Sequence, residues 1–106
     1  MPKYLFQASY TAEGTKGLLK EGGSKRRAVV DEIVKGAGGK VEAFYYAFGD
    51  SDTIGIIEVP DVASIVAISL AVNASGAVNF KTTVLLTPEE IDQAAKKSAK
   101  YTPPGK

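Results

Sequence analysis

The chain has 106 residues, of which 44% are hydrophobic, and its formal net charge is +1. This length suits one domain with a modest core, and the hydrophobic content excludes an intrinsically disordered chain. The near-neutral charge argues against nucleic-acid binding, which normally needs a basic excess. The absence of Cys and His excludes disulfides, zinc or haem centres built on those residues, and Ser-His or Cys-His nucleophilic catalysis.

The first half of the chain predicts a strand, a helical region and a β-hairpin. Aromatic and apolar residues indicate a strand over residues 3–10, and residues 15–21 suit a short helical turn. Ser24 is a plausible N-cap for a longer helix, which the glycines at 36, 38 and 39 would end. Two further strands are predicted over residues 40–48 and 53–59, joined by the loop 49–52.

The second half predicts a helix, a strand and a last helix. Asp61 would cap a helix over residues 62–73, and β-branched residues indicate a strand over 77–86. The segment Thr87-Pro88-Glu89-Glu90 combines an N-cap Thr, Pro at the first helical position and Glu at the third, which is typical of a helix start. The last helix would carry a stripe formed by Ile91, Ala94, Ala95 and Ser98.

The resulting order, βαββαβ plus a C-terminal helix, predicts a ferredoxin-like α+β fold. It would have one four-stranded antiparallel sheet, with two helices covering one of its faces. We expect a single domain over residues 1–100 and a flexible tail over residues 101–106, where two prolines occur.

The predicted hairpin leaves a bulky face of the sheet uncovered. A register centred on the loop pairs Glu42 with Glu58, Phe44 with Ile56, and Tyr46 with Ile54. Strand alternation then divides the two strands into two sets. The set turned towards the helices is mostly small: Val41, Ala43, Tyr45, Ala47, Thr53, Gly55, Ile57 and Val59. The set on the uncovered face is bulky: Glu42, Phe44, Tyr46, Phe48, Ile54, Ile56 and Glu58.

Large exposed apolar patches usually mark interfaces. The simplest cover for this one is the same face of a second copy, which would give a dimeric α/β barrel. The predicted helix over residues 62–73 is apolar on most sides, and its own sheet meets only one of them. The C-terminal helix or another subunit would cover the rest, and the sequence does not choose between them.

The predicted uncovered face also suggests a polar cluster inside an apolar barrel. Opposed carboxylates at Glu42 and Glu58 would raise one carboxyl pKa, as a general acid or base requires, and Tyr46 would donate a hydrogen bond. Further side chains expected to point inward are those of Gln7, Ser9 and Lys81. The alternative is that both acids lie at a wet sheet edge or pair with Lys across the interface.

Two further candidate sites have equally plain structural explanations. Asp52 would line the mouth of the barrel as a ligand-binding residue, or else, with Gly49, it would simply stabilise the hairpin turn. A glycine-led helix start with three cations would hold an anion, or else form a solvated helix face. The residues of this weak anion site are Ser24, Lys25, Arg26 and Arg27.

The hairpin Phe48-Gly49-Asp50-Ser51-Asp52, with the strand after it as far as Pro60-Asp61, resembles the GYD domain family, named for a Gly-Tyr-Asp signature. Three other segments share the resemblance, which spans nearly the whole chain: Gly38-Gly39-Lys40, Ala74-Ser75-Gly76-Ala77-Val78 and Leu85-Leu86-Thr87-Pro88-Glu89-Glu90. The chain departs from the signature at Ser51, where the family often has Tyr.

The resemblance implies a dimeric α/β-barrel protein from a largely uncharacterised family. The same Gly-x-x-Asp hairpin is similar to the effector-binding domain of leucine-responsive regulators, but this chain lacks their DNA-binding helix-turn-helix. We expect an oligomer that binds a small organic molecule between subunits or acts as an accessory module. The alternatives are a cofactor-independent isomerase or oxygenase using Glu42, Glu58 and Tyr46, and a purely structural subunit.

The expected setting of the protein is the cytoplasm. No signal peptide is evident, and no apolar stretch is long enough to span a bilayer. The expected partner is a further copy of the chain, with a small molecule as ligand. Neither a nucleic acid nor a membrane is expected as a partner, and neither a metal nor a cofactor is expected at the site.

Overall fold

The computed structural model describes residues 1–106, which form four strands and four helices. In chain order these are β1 (Lys3–Tyr10), α1 (Ala12–Glu21), α2 (Gly23–Gly36), β2 (Lys40–Tyr46), β3 (Thr53–Glu58), α3 (Val62–Ala74), β4 (Val78–Leu85) and α4 (Pro88–Lys96). The strands make one antiparallel sheet in the order β2-β3-β1-β4. The ferredoxin-like α+β fold predicted from the element order is therefore confirmed.

The first crossover contains two helices instead of one helix and a short turn. The Thr11 hydroxyl caps α1 by accepting a hydrogen bond from the Gly14 amide at 3.2 Å. Gly22 separates the helices with a φ of 86°, which glycine adopts without a steric penalty. Gly22 is also the N-cap of α2, so the predicted capping role of Ser24 is wrong. Ser24 already lies within the helix.

One face of the sheet is buried beneath the helices. In β1 and β3 buried residues alternate with half-buried ones, as expected when only one face of a sheet is covered. Burying each large apolar side chain stabilises the fold by about 1.5–3 kcal/mol. The core comprises Tyr4, Phe6, Val34, Ile57, Val59, Ile65 and Ile68.

A β-bulge in β2 overturns the predicted hairpin register. Val41 pairs with Ile57, and Ala43 pairs with Ile56, the next residue along the ladder. Glu42 therefore has no partner on β3 and is the extra residue of the bulge. An extra residue sends every later side chain of the strand to the opposite face. Phe44 therefore pairs with Gly55, not with Ile56.

The bulge changes which side chains lie on each face. Phe44 packs against the core and Tyr46 pairs with the buried Thr53, so both belong to the face turned towards the helices. Ala43 and Tyr45 take their places on the uncovered face, which we call the open face. The predicted faces of these four side chains were therefore wrong, because the bulge interrupts the regular ladder between β2 and β3.

The last two helices have well-defined starts. The Asp61 carboxylate caps α3, accepting from the Ser64 amide at 2.8 Å and its hydroxyl at 2.7 Å. Thr87 and Glu90 form the predicted capping box of α4. α4 has no buried residue, and it does not provide the cover for α3 that was one of the two expectations. None of the helices has both the length and the apolar character needed to cross a membrane.

Replacing Gly55 with Ala should destabilise the protein by about 1–3 kcal/mol, the usual cost of overpacking a close-packed core. A Cβ at this position would collide with the Ala43 carbonyl oxygen and the Phe6 ring. Gly17→Ala is the matched control, because nothing lies within 4 Å of its added Cβ. In the interior of α1 this change should stabilise by about 0.5–1 kcal/mol. Urea unfolding of both variants measures the difference, and equal stabilities would contradict close packing around Gly55.

Candidate functional site

A row of aromatic rings crosses the helix-covered face of the sheet. Phe6 stacks on Phe80 with ring centroids 5.5 Å apart and approaches Phe44 at 5.8 Å. Phe44 in turn meets the edge of Tyr46 at 5.3 Å. Gly55 lies between Phe6 and Phe44 in the sheet, and its missing side chain leaves the space in which the two rings meet. The row thus links three strands into one aromatic surface.

A cavity of about 90 Å³ lies between this aromatic surface and the helices. Thirteen of its fifteen lining residues are hydrophobic, and the other two are Arg26 and Thr53. Its wall includes Val30 and Ile33 of α2 and Val72 of α3. We call it the helix-side cavity. A concave, mostly apolar site with few polar groups is typical of small-molecule binding.

Arg26 marks the polar end of the helix-side cavity. A second depression, of about 120 Å³, shares Tyr10, Arg26 and Val78 with the cavity and is lined in addition by Glu13 and Glu21. Arg26 therefore stands where the apolar interior meets a charged rim. Its guanidinium lies 3.6 Å from the Glu21 carboxylate, longer than an ordinary hydrogen bond.

The predicted anion site lies in the first turn of α2, and its three cations all have neighbours of their own. Lys25 and Arg26 both pair with Glu21, each at 3.6 Å. Arg27 pairs with Asp31 at 3.6 Å, and its guanidinium carbon lies 5.7 Å from the centre of the Phe44 ring. Of the three, Arg26 lines the helix-side cavity. Ser24 is exposed. Anion binding by these residues stays a prediction.

Tyr46 lies in the helix-covered half of the molecule, away from the acids with which it was predicted to act. Its hydroxyl donates a hydrogen bond of 2.9 Å to the Gly23 carbonyl, which ties β2 to the start of α2. Burial raises the pKa of the Tyr46 phenol, and nearby Tyr10 raises it further although Arg26 opposes the shift. Tyr46 is thus a neutral donor already engaged with the backbone.

Glu42 and Glu58 belong to one cluster, in which lysines of the same chain form ion pairs with both carboxylates. Lys3 on β1 lies 2.8 Å from Glu42 and 3.4 Å from Glu58, and Lys40 lies 3.4 Å from Glu58. In the register Lys40, not Glu42, stands opposite Glu58. The sequence pattern did not reveal Lys3 as a partner, because the neighbour of β3 across the sheet is set by topology.

The charges of this cluster shift the pKa values of Glu58 and Lys3. Partial burial raises the pKa of Glu58, but the charge of Lys40 and hydrogen bonds from Lys3 and Lys40 lower it by more. The net result is a Glu58 pKa below its usual value, the opposite of the shift that a general acid or base would need. A hydrogen bond to Glu42 is the main cause of the raised pKa of Lys3. The cluster is a set of ion pairs at the end of the sheet.

Gln7 and Lys81 face each other on neighbouring strands of the open face, and Ser9 faces Asn79 in the same ladder. This face is the one expected for them, because buried Phe6 and Ala8 alternate with Gln7 and Ser9 along β1. Tyr46 is on the other side of the sheet. Ligand binding by Gln7, Lys81 and the two glutamates stays a prediction.

Asp52 links the hairpin loop to β1. Its carboxylate accepts a hydrogen bond of 2.8 Å from the Tyr10 amide, and its own amide donates to the Ala8 carbonyl at 2.8 Å. The residue with positive φ in the loop is Phe48, at 52°, and not Gly49. The contacts of Asp52 explain its presence in structural terms, and a ligand role at the barrel mouth stays a prediction.

No three acidic side chains converge on a point where a metal ion would fit. The fold and the cavity together define a ferredoxin-like α+β domain with an apolar site beneath its sheet. The chain belongs to the GYD domain family, whose model matches residues 4–95 and so spans the sheet, α1 to α3 and most of α4. No curated protein sequence and no solved structure gives a significant match.

Replacing Glu58 with Gln should make stability less sensitive to acid. A carboxyl whose pKa is lowered by folding stabilises the protein above its unfolded pKa, and this stabilisation disappears as the pH falls through the folded value. The melting temperature of Glu58→Gln should therefore lie below that of the unmodified chain at pH 7, and the gap should close below about pH 4.5.

Thermal melts between pH 2 and pH 8 provide the measurement. Glu32→Gln is the matched control, because Glu32 is exposed on α2 and belongs to none of the ion pairs. This variant should differ little from the unmodified chain at any pH. A Glu58→Gln gap that stays constant across the range would show that the lysines do not hold Glu58 ionised.

Proposed function

We propose that this GYD-domain protein binds a small organic molecule, with an apolar body in the helix-side cavity and an anionic group at Arg26. The observation that carries this proposal is the composition of the cavity wall, which is apolar except for Arg26 and Thr53. Such a wall favours a ligand with one apolar part and one polar end. This proposal puts the ligand inside a single copy of the chain, whereas the sequence led us to expect it between subunits.

The size of the cavity limits the ligand. An apolar cavity of about 150 Å³ holds one benzene molecule, and the helix-side cavity measures about 90 Å³. It would therefore accept one small ring or a short branched chain, with some adjustment of its walls. Val29 and Val30 are the wall residues best placed to adjust, because Val29 is 39% exposed and Val30 is incompletely buried.

The charge at the mouth favours an anion. Arg26 presents a planar guanidinium that matches a carboxylate, and its side chain is 30% exposed. Its present partner Glu21 is 3.6 Å away and also faces Lys25, which would remain to neutralise Glu21 when Arg26 turns to a ligand. A small aromatic or branched aliphatic carboxylate fits both requirements.

Benzoate and toluene separate the two halves of this proposal, because they share a ring and differ in charge. Both should bind the unmodified chain, and Arg26→Gln should weaken benzoate by about tenfold, the equivalent of 1.4 kcal/mol, while leaving toluene unchanged. Titrations followed by amide chemical shifts measure both affinities and show whether the perturbed residues line the cavity.

The neighbouring Arg27 supplies the matched control. It carries the same charge one residue further along α2 but does not line the cavity, so Arg27→Gln should leave both affinities unchanged. The absence of toluene binding would contradict an accessible cavity. Equal losses of benzoate binding in the two arginine variants would indicate general electrostatic attraction and no specific site.

A second copy of the chain is the proposed cover of the open face. No helix packs on this side, and Tyr45 on it is 69% exposed. Its centre is apolar, because Leu5, Ile56 and Ala43 lie side by side on neighbouring strands, with Ile54 next along β3. A near-zero net charge does little to keep such faces apart. Stacking two open faces gives the dimeric barrel expected from the resemblance.

The catalytic alternative has less support, since Tyr46 lies across the sheet from the two glutamates and the pKa of Glu58 is lowered. That alternative depended on Tyr46 lying beside the two glutamates and on a raised carboxyl pKa. The accessory and structural roles are compatible with an assembled barrel, and occupancy of the helix-side cavity distinguishes them from binding.

Ile56→Lys should reduce the number of subunits at least by half, because it places a charge at the centre of the open face. Leu19→Lys is the matched control: Leu19 is 82% exposed on α1 and lies outside that face. Sedimentation at micromolar concentration measures both variants. A monomeric unmodified chain, or an assembly that tolerates Ile56→Lys, would contradict the open-face interface.

A further inference from the structure

We infer that α4 of one copy packs on α3 of a second copy, so that the C-terminal segments are exchanged between subunits. This contact is separate from the open face, since α3 covers the opposite side of the sheet. Two apolar helix faces that are exposed in a single copy of the chain lead to this inference.

The first of these faces lies on α3, a helix of thirteen residues without a charged side chain. Ile65 and Ile68 are buried against the sheet, but Val62, Val66 and Leu70 are 66%, 46% and 66% exposed. These three residues recur every four positions and so form one ridge along the helix. Exposed alanines line the ridge at 63, 67 and 71. A water-facing helix normally carries charged residues there.

The second face lies on α4, which buries none of its residues in its own chain. All nine of its residues are exposed, including Ile91 at 52%. Isolated helices shorter than about 12–15 residues are marginal in water, and most helices depend on packing for their stability. α4 is shorter than that limit, yet it has a complete capping box. It therefore needs an apolar surface from another molecule.

The dimensions of the chain exceed those of a compact domain, as expected when α4 and residues 97–106 bury nothing against the sheet. The radius of gyration is 16.9 Å and the longest dimension is 56 Å. A compact chain of this length would have a radius of gyration of about 13 Å. Only two residues, Leu86 and Thr87, separate β4 from α4, and this short connection favours docking on a neighbour over folding back.

The two faces match in shape and in charge. The stripe of Ile91, Ala94 and Ala95 on α4 is small enough for close approach to the valines and leucine of the α3 ridge. An antiparallel arrangement would bring Lys96 and Lys97 towards Asp61 at the start of α3, and would direct the acidic first turn of α4 to the uncharged end of α3.

Disulfide trapping tests the contact directly, because the chain has no Cys of its own. Ala94→Cys and Val66→Cys, at the centres of the two faces, are made in separate chains that carry different tags, and are then mixed and oxidised. The mixed disulfide should predominate. Ala28→Cys, at an exposed alanine on α2, replaces Val66→Cys as the matched control and should give little product with Ala94→Cys.

Adding Ile91→Asp to the Ala94→Cys chain should suppress the mixed disulfide, whereas adding Leu19→Asp should not. The experiment is repeated with Ile56→Lys in both chains, so that success or failure of the open-face interface does not affect the result. Three outcomes would overturn the inference. The first is the absence of the mixed disulfide, and the second is a predominance of the disulfide between two Val66→Cys chains. The third is a disulfide within a single chain when Val66→Cys and Ala94→Cys are combined in one protein.

Discussion

The additional residue in β2 is the constraint on which the remainder of the structure depends. Because Glu42 interrupts the ladder between β2 and β3, Phe44 and Tyr46 turn towards the helices. A regular hairpin would have put both rings on the open face and left the interior without them. The bulge therefore supplies half of the aromatic row, and Gly55 supplies the space in which Phe44 reaches Phe6.

The same bulge separates the two kinds of chemistry in the molecule. On the helix-covered face, apolar walls surround the cavity and leave Arg26 at its mouth. At the end of the open face, Lys3 and Lys40 neutralise the carboxylates of Glu42 and Glu58. A binding site with one polar end fits the first environment. The second stabilises the sheet end through ion pairs, which are modest when exposed to water.

The three uncovered surfaces have a common origin in the size of the chain. A domain of about 100 residues buries a limited fraction of its surface, and here eleven of 106 residues are buried. The open face, the ridge of α3 and the stripe of α4 stay in water unless further copies cover them. The proposed assembly would thus supply burial that a single copy cannot provide.

Local patterns determined the elements of this protein. Aromatic and apolar residues indicated β1, Asp61 and Thr87 marked the starts of α3 and α4, and the segment order specified a ferredoxin-like sheet. These features depend on residues close together in the chain, whose periodicity and capping chemistry are visible in the sequence. The family resemblance could be recognised for the same reason, because its segments follow one another in order.

Only the tertiary structure decided which side chains share a site. The bulge shifts the register by one residue, and no residue type in the sequence indicates where it lies. Phe44 and Tyr46 were therefore assigned to the wrong face. The partnership of Lys3 with Glu58 requires β1 to lie beside β3, and the placement of Arg26 at the cavity requires α2 to cross the sheet. These relations join distant parts of the chain, and three-dimensional packing sets them.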